Sequence, residues 1–238
     1  MINKFQYIGH STIIFETSNS KKIIIDPWLK DNPSCLQEFK DLVDFDLVIL
    51  THGHFDHTGS CLEILNNSNA KLLATFELAG LIKDEGIAEE RIIYMNKGGN
   101  IIFEDLVISL THAIHSNSYT NSESKTFYAG EACGVVIKDK TNSFYCAGDT
   151  SLFSDMKLIK ERFDVNYGFL PIGDVFTMGP ADAAYAASNL LSLDFAIPIH
   201  YDTFEQLTGS VDIFINELEK TNTKALILKP GETFKIGN

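Results

Sequence analysis

The sequence predicts an α/β protein of four layers, two sheets packed together with helices outside. Three observations point there. Short β-branched and aromatic runs alternate with helix-period stretches, the alternation begins again halfway along the chain, and no Pro-, Gly- or Ser-rich linker separates the halves. With 45% hydrophobic and 21% charged residues, the composition suits one globular domain spanning residues 1–238.

Taken in order, strands are expected at 5–8, 12–17, 22–26 and 46–50, where β-branched and aromatic residues cluster between turn residues. A helix should follow Thr58, because Cys61, Leu62 and Leu65 share one apolar face, and a second should cover 76–83 ahead of Gly86. Strands at 71–74, 91–95 and 106–110 complete the first half. The polar stretch 116–125 reads as an exposed loop. Beyond it, strands are expected at 134–138 and 143–146, an apolar run lies at 195–199, and helices are expected at 154–161, 180–191 and 204–220.

Charge narrows the partners. Thirty-two acidic side chains against 19 basic ones give a formal charge of −13, and the only arginines are Arg91 and Arg162. A nucleic-acid binder wants the opposite balance. Residues 1–10 lack an apolar core behind a basic flank, and no stretch approaches the roughly eighteen uninterrupted apolar residues that span a bilayer. A soluble cytoplasmic protein acting on a small molecule, with neither nucleic acid nor membrane as partner, is the expectation. Cys35, Cys61, Cys133 and Cys146 are widely spread and form no C-x-x-C pair, so they read as buried free thiols.

Three of the seven histidines fall within Thr51-His52-Gly53-His54-Phe55-Asp56-His57-Thr58, where an apolar strand stops and the chain turns toward a helix. Open α/β sheets place ligands at such strand ends. His52 and His54, two apart, share a face in extended chain and can bind one ion, while the adjacent Asp56 and His57 can turn toward a second. Four ligands do not complete a two-metal site, since each ion wants three or more protein ligands and an open position for water. Three further candidates also stand at the ends of apolar runs: His115, Asp149 and His200.

With these residues in view, the chain resembles the metallo-β-lactamase superfamily and, within it, metal-dependent hydrolases similar to ascorbate-6-phosphate lactonase. The stretches that carry the likeness are Tyr7-Ile8-Gly9-His10-Ser11, Ile25-Asp26-Pro27-Trp28, the His52 to His57 motif, Ile114-His115-Ser116, Ala147-Gly148-Asp149-Thr150, Leu170-Pro171-Ile172-Gly173, Phe176-Thr177-Met178-Gly179-Pro180 and Ile197-Pro198-Ile199-His200-Tyr201. The resemblance implies an αββα sandwich with metals at one edge of the two sheets. It also implies that His52, His54 and His115 hold one metal, that Asp56, His57 and His200 hold the other, and that Asp149 bridges both. A related branch that reduces oxygen at a di-iron centre carries glutamate where this chain has His54, so the hydrolytic branch fits better. Zinc is the first choice of metal, with manganese or iron as alternatives.

The implied activity is hydrolysis of a small ester, lactone or phosphorylated metabolite. A water bridging two divalent ions about 3.5–4 Å apart becomes hydroxide near neutral pH, because a single zinc already lowers the pKa of bound water to about 7. Asp56 would orient that nucleophile or accept its proton. The alternatives are a phosphodiesterase of the same superfamily and a non-catalytic protein that binds metal or a metabolite on this fold. Loss of a ligand would mark the last, and all seven positions are filled. A homo-oligomer is compatible with this class.

Several residues carry two readings. His10 is either an active-site donor or a structural histidine, and Asp26 either orients a ligand imidazole or caps a strand end. Met178, Asp182 and Tyr201 are candidates for the substrate pocket, with helix capping as the competing role for Asp182. His112, three residues before His115, stands where relatives usually carry proline and is expected to be a bystander. Cys61 and Cys146 flank the metal motifs, but their apolar neighbours favour packing over ligation.

Overall fold

The computed structural model describes residues 1–237, and the chain divides into two compact units. The first comprises Met1–Lys97, Ser116–Ala132 and the chain from Lys229 onward; the second comprises Gly98–His115 and Cys133–Leu228.

The first unit holds a seven-stranded sheet. Its strands are β1 (Ile2–Gly9), β2 (Thr12–Thr17), β3 (Lys22–Ile25), β4 (Leu47–Ile49), β5 (Lys71–Thr75), β6 (Ile92–Met95) and, at the edge beside β1, β16 (Thr233–Lys235). From β16 to β3 the pairing is antiparallel, and from β3 to β6 it is parallel. The parallel strands β4 and β5 are almost continuously apolar because both of their faces are buried. Between them run α1 (Phe55–Thr58) and α2 (Cys61–Asn67), and after β5 comes α3 (Phe76–Lys83). Ile64, Leu65, Leu78, Ala79 and Ile82 from these helices pack on Ile24, Val48, Leu50 and Leu72, which forms the core of the unit.

The second unit repeats the plan. Its strands are β7 (Asn100–Phe103), β8 (Leu106–His112), β11 (Cys133–Lys138), β12 (Ser143–Cys146), β13 (Tyr167–Pro171), β14 (Phe195–Ile199) and β15 (Lys224–Ala225). An antiparallel meander from β7 to β12 leads into parallel pairings from β12 to β15. Helices α4 (Met156–Phe163), α5 (Pro180–Tyr185) and α6 (Val211–Leu218) bury Met156, Ile159, Ala183, Ala184 and Phe214 against Val136, Tyr145 and Leu170. After α5 the chain continues through a wider π-type turn at Ala186–Leu190, which accounts for the single helix expected over 180–191. The α/β class and the repetition within the chain therefore match the expectation.

Several segments differ from it: β13, β15 and β16 are not among the expected strands, and three further segments depart for reasons the structure shows. The stretch expected as an exposed loop at 116–125 instead builds a hairpin within the first unit, β9 (Ser118–Thr120) paired with β10 (Thr126–Tyr128). Asn117 and Tyr119 are buried there, Tyr119 in the core cluster of that unit. Polar composition concealed them. Strand β7, with alternate residues exposed, carried too short an apolar pattern to register. Finally, the helix expected over 204–220 starts only at Val211, because Gly209 lies where the backbone passes Ile172 too closely for any side chain. Among the described residues no helix is long and apolar enough to cross a membrane.

Candidate metal centre

In the first unit, three donor-bearing residues follow the C-terminal ends of strands that run the same way. His10 follows β1, Asp26 follows β3 and His52 stands three residues beyond β4; β1 and β3 point alike because each is antiparallel to β2. His10 and Asp26 both have left-handed backbone, with φ of 56° and 49°. For residues with a Cβ this conformation costs about 1–3 kcal/mol each and persists only where the surroundings hold it.

Asp26 is the hub. Its Oδ1 accepts from the Thr51 amide at 2.8 Å, and its Oδ2 accepts from Thr51 Oγ1 at 2.7 Å and from His57 Nδ1 at 2.8 Å. Two tautomers follow from this geometry. His57 spends its Nδ1 proton on Asp26, so its lone pair is on Nε2. The single hydroxyl proton of Thr51 goes to Asp26, so Thr51 Oγ1 accepts from His52 Nδ1 at 3.1 Å, and the lone pair of His52 is also on Nε2. Both imidazoles are buried, their ring centroids 4.1 Å apart.

His52 Nε2 and His54 Nδ1 lie 3.0 Å apart, close to the spacing of two nitrogens sharing one ion at metal–nitrogen bonds of about 2.0–2.1 Å. His10 Nε2 donates to Asp56 Oδ2 at 3.1 Å, its ring edge-on to Trp28 at 5.0 Å. His10, Asp56 and His57 each offer a donor atom within 4.8 Å of the others. Buried imidazoles with their lone pairs turned inward, together with a carboxylate, form a donor set that suits a borderline divalent ion.

In the second unit the donors again follow strand ends. His115 comes after β8, Asp149 after β12 and His200 directly after β14, with β8 and β12 aligned because each is antiparallel to β11. Asp149 Oδ2 stands between two imidazoles, 3.1 Å from His200 Nε2 and 3.5 Å from His115 Nε2. His200 has φ of 56°, and its carbonyl fills the space that a Cβ on Gly173 would need, which gives the Leu170-Pro171-Ile172-Gly173 stretch a structural cause.

The remaining candidates fall less centrally. Met178 is buried in the apolar core of the second unit, and its amide donates to Thr150 O at 3.0 Å. Asp182 is exposed in the first turn of α5, where Gly179 occupies the capping position and no side-chain cap bond is made. Tyr201 packs against the same core, and burial together with the Asp202 charge raises its phenol above the ordinary value. His112 is exposed at the end of β8, edge-on to Phe153 at 5.3 Å. All four cysteines are buried free thiols, as expected. Sequence reasoning passed over Thr51, whose only signal was its place beside His52, and Asn117, which had none.

A family model described as a beta-lactamase superfamily domain matches residues 21–201. A UPF0173 metal-dependent hydrolase of Koribacter versatilis is 39% identical over 234 residues, covering 97% of each chain. One from Geobacillus thermodenitrificans is 40% identical over 233 residues, covering 98% of this chain and 100% of its own. Among solved structures, Igni18, a metallo hydrolase of the archaeon Ignicoccus hospitalis, is 31% identical over the whole of both chains, with a TM-score of 0.87. The α/β fold is thus one shared with metallo hydrolases, and the names of these relatives specify no substrate and no lactonase subgroup.

Proposed function

This chain belongs to the metallo-β-lactamase superfamily and, within it, to the UPF0173 metal-dependent hydrolases, and on that premise we propose that it is a binuclear hydrolase of a small ester, lactone or phosphorylated metabolite. In this reading His52, His54 and His115 hold one divalent ion, Asp56, His57 and His200 hold the other, and Asp149 serves both. Zinc is the proposed metal, with manganese or iron as alternatives. The observation that carries the reading is Asp149 Oδ2 set between His115 and His200, the posture of a carboxylate shared by two ligand sets.

Bound there, divalent ions would supply a water that ionises near neutral pH and a Lewis acid for the electrophile. The protein's own groups do the rest. Asp26 and Thr51 hold His57 and His52 in the tautomers that present Nε2. Asp56 takes the proton of the attacking water on Oδ2, and His10, hydrogen-bonded to that oxygen, gives its Nε2 proton to the leaving group and regains one from Asp56. The surplus of 32 acidic over 19 basic residues favours a small substrate over an anionic polymer, and four free thiols suit a reducing cytoplasm.

Metal analysis by mass spectrometry on protein purified without chelator tests the reading, followed by turnover of the metal-replete protein on lactone and ester panels and on phosphomonoester and phosphodiester panels. Near two metals per chain with hydrolysis of the acyl or monoester compounds is expected. Turnover confined to phosphodiesters would replace the substrate class. Metal without turnover on any panel would leave a binding protein, and no metal uptake would overturn the site.

A further inference from the structure

Gly53 separates His52 from His54, and its backbone is gripped by a residue far outside the motif. The Gly53 amide donates to Asn117 Oδ1 at 2.8 Å, Asn117 Nδ2 donates to Ala129 O at 2.8 Å, and the Ala129 amide donates back to Asn117 O at 3.2 Å. Asn117 is buried with both ends of its side-chain amide engaged, so its orientation is fixed; turned over, it would set N–H against N–H and oxygen against oxygen. Asn117 and Ala129 together close the base of the β9–β10 hairpin, whose first rung pairs Ser118 with Tyr128. The hairpin also presses on the motif directly. A Cβ on Gly53 would lie 2.8 Å from Ser118 O and 3.1 Å from Leu78 Cδ1, so only glycine allows the approach.

The peptide between the two histidines is therefore held to the hairpin base by a buried hydrogen bond and by close packing. We infer that Asn117 is a positioning residue for the His52–His54 pair, fixing the turn that presents Nε2 of one and Nδ1 of the other 3.0 Å apart. The inference rests on the metal-binding reading of those histidines. Without Asn117 the donors remain but the turn that pairs them relaxes, and metal is held less tightly.

The test compares wild type, Asn117→Ala, Asn117→Asp and Thr126→Ala, each stripped of metal. Zinc and manganese affinities are read by chelator competition, and thermal unfolding of the metal-free proteins is followed alongside. Asn117→Ala should bind metal about 10–100-fold more weakly, the usual scale for losing a group that orients a ligand. Asn117→Asp keeps an acceptor for Gly53 but faces the Ala129 carbonyl with a carboxylate, so a smaller loss is expected; it decides the question by itself if the alanine variant does not fold. Thr126→Ala breaks only the exposed hydroxyl pair with Thr120 on the same hairpin and should bind as wild type does. Wild-type affinity in both Asn117 variants, or an equal loss in Thr126→Ala, would overturn the inference while leaving the metal site standing. A wild type that binds neither metal would overturn the reading on which it rests.

Discussion

Asp26 occupies a backbone conformation that disfavours any residue with a Cβ, and it accepts three hydrogen bonds there. That concentration of cost and contact makes it the residue whose loss should be felt twice. Asp26→Ala leaves buried donors on Thr51 and His57 unpaired, at about 1–3 kcal/mol for each. Urea unfolding of the metal-free protein should show that loss, and chelator competition should show metal affinity lowered about 10–100-fold. His10 and Asp56 should separate differently. Asp56→Ala removes a proposed ligand and should abolish turnover and lower metal content, whereas His10→Ala should lower kcat about 100-fold or more with metal content unchanged. A His10→Ala protein that loses metal in step with activity would assign His10 to the coordination set instead.

At the scale of elements, what could be read in advance was whatever wrote its pattern in apolar residues. Helix α3 over Phe76–Lys83 was legible because its apolar positions repeat with helical period. The strands that lead to His52 and His200 were legible as apolar runs that stop abruptly, and the histidines and aspartates near such ends drew attention because those side chains carry a chemical meaning of their own. The β9–β10 hairpin was not, since Asn117 is buried for its hydrogen bonds and not for its hydrophobicity. The start of α6 was missed for a related reason. The restriction at Gly209 comes from Ile172, far away in sequence, and no local signal reports it. Gly209→Ala should therefore destabilise by at least about 1–3 kcal/mol, because the added methyl meets backbone that cannot move aside, and a lowered urea midpoint would register it.

For the whole molecule, metal and pH act through linkage. If metal binds the folded chain and not the unfolded one, protein in metal at 100 times its Kd gains about 2.7 kcal/mol over the chelated form. For a chain of this length that raises Tm by roughly 5–10 °C, and identical melting curves with and without chelator would contradict it. At the alkaline end, burial raises the Cys35 thiol to about 11 and pushes Cys61, Tyr119 and Tyr145 upward as well. A folded-state pKa above the unfolded one contributes stability that is complete below the ordinary thiol value and is lost as pH climbs through the folded value. Stability should accordingly fall between about pH 9 and 11, and Cys35→Ala should soften that fall. Alkylation at pH 8 should label the native protein slowly and the urea-unfolded protein fast.

The edge pairing of β16 with β1 has one more consequence, for a chain made from one end to the other. Lys4 and Phe5 leave the ribosome long before their outer partners, Lys235 and Phe234. The sheet of the first unit is thus begun before the second unit is made and closed only after the entire second unit has emerged. Until then β1 presents an open edge, the kind of surface on which strands of neighbouring chains can add. In the nascent protein, that long interval is when a chaperone holding β1 would matter most.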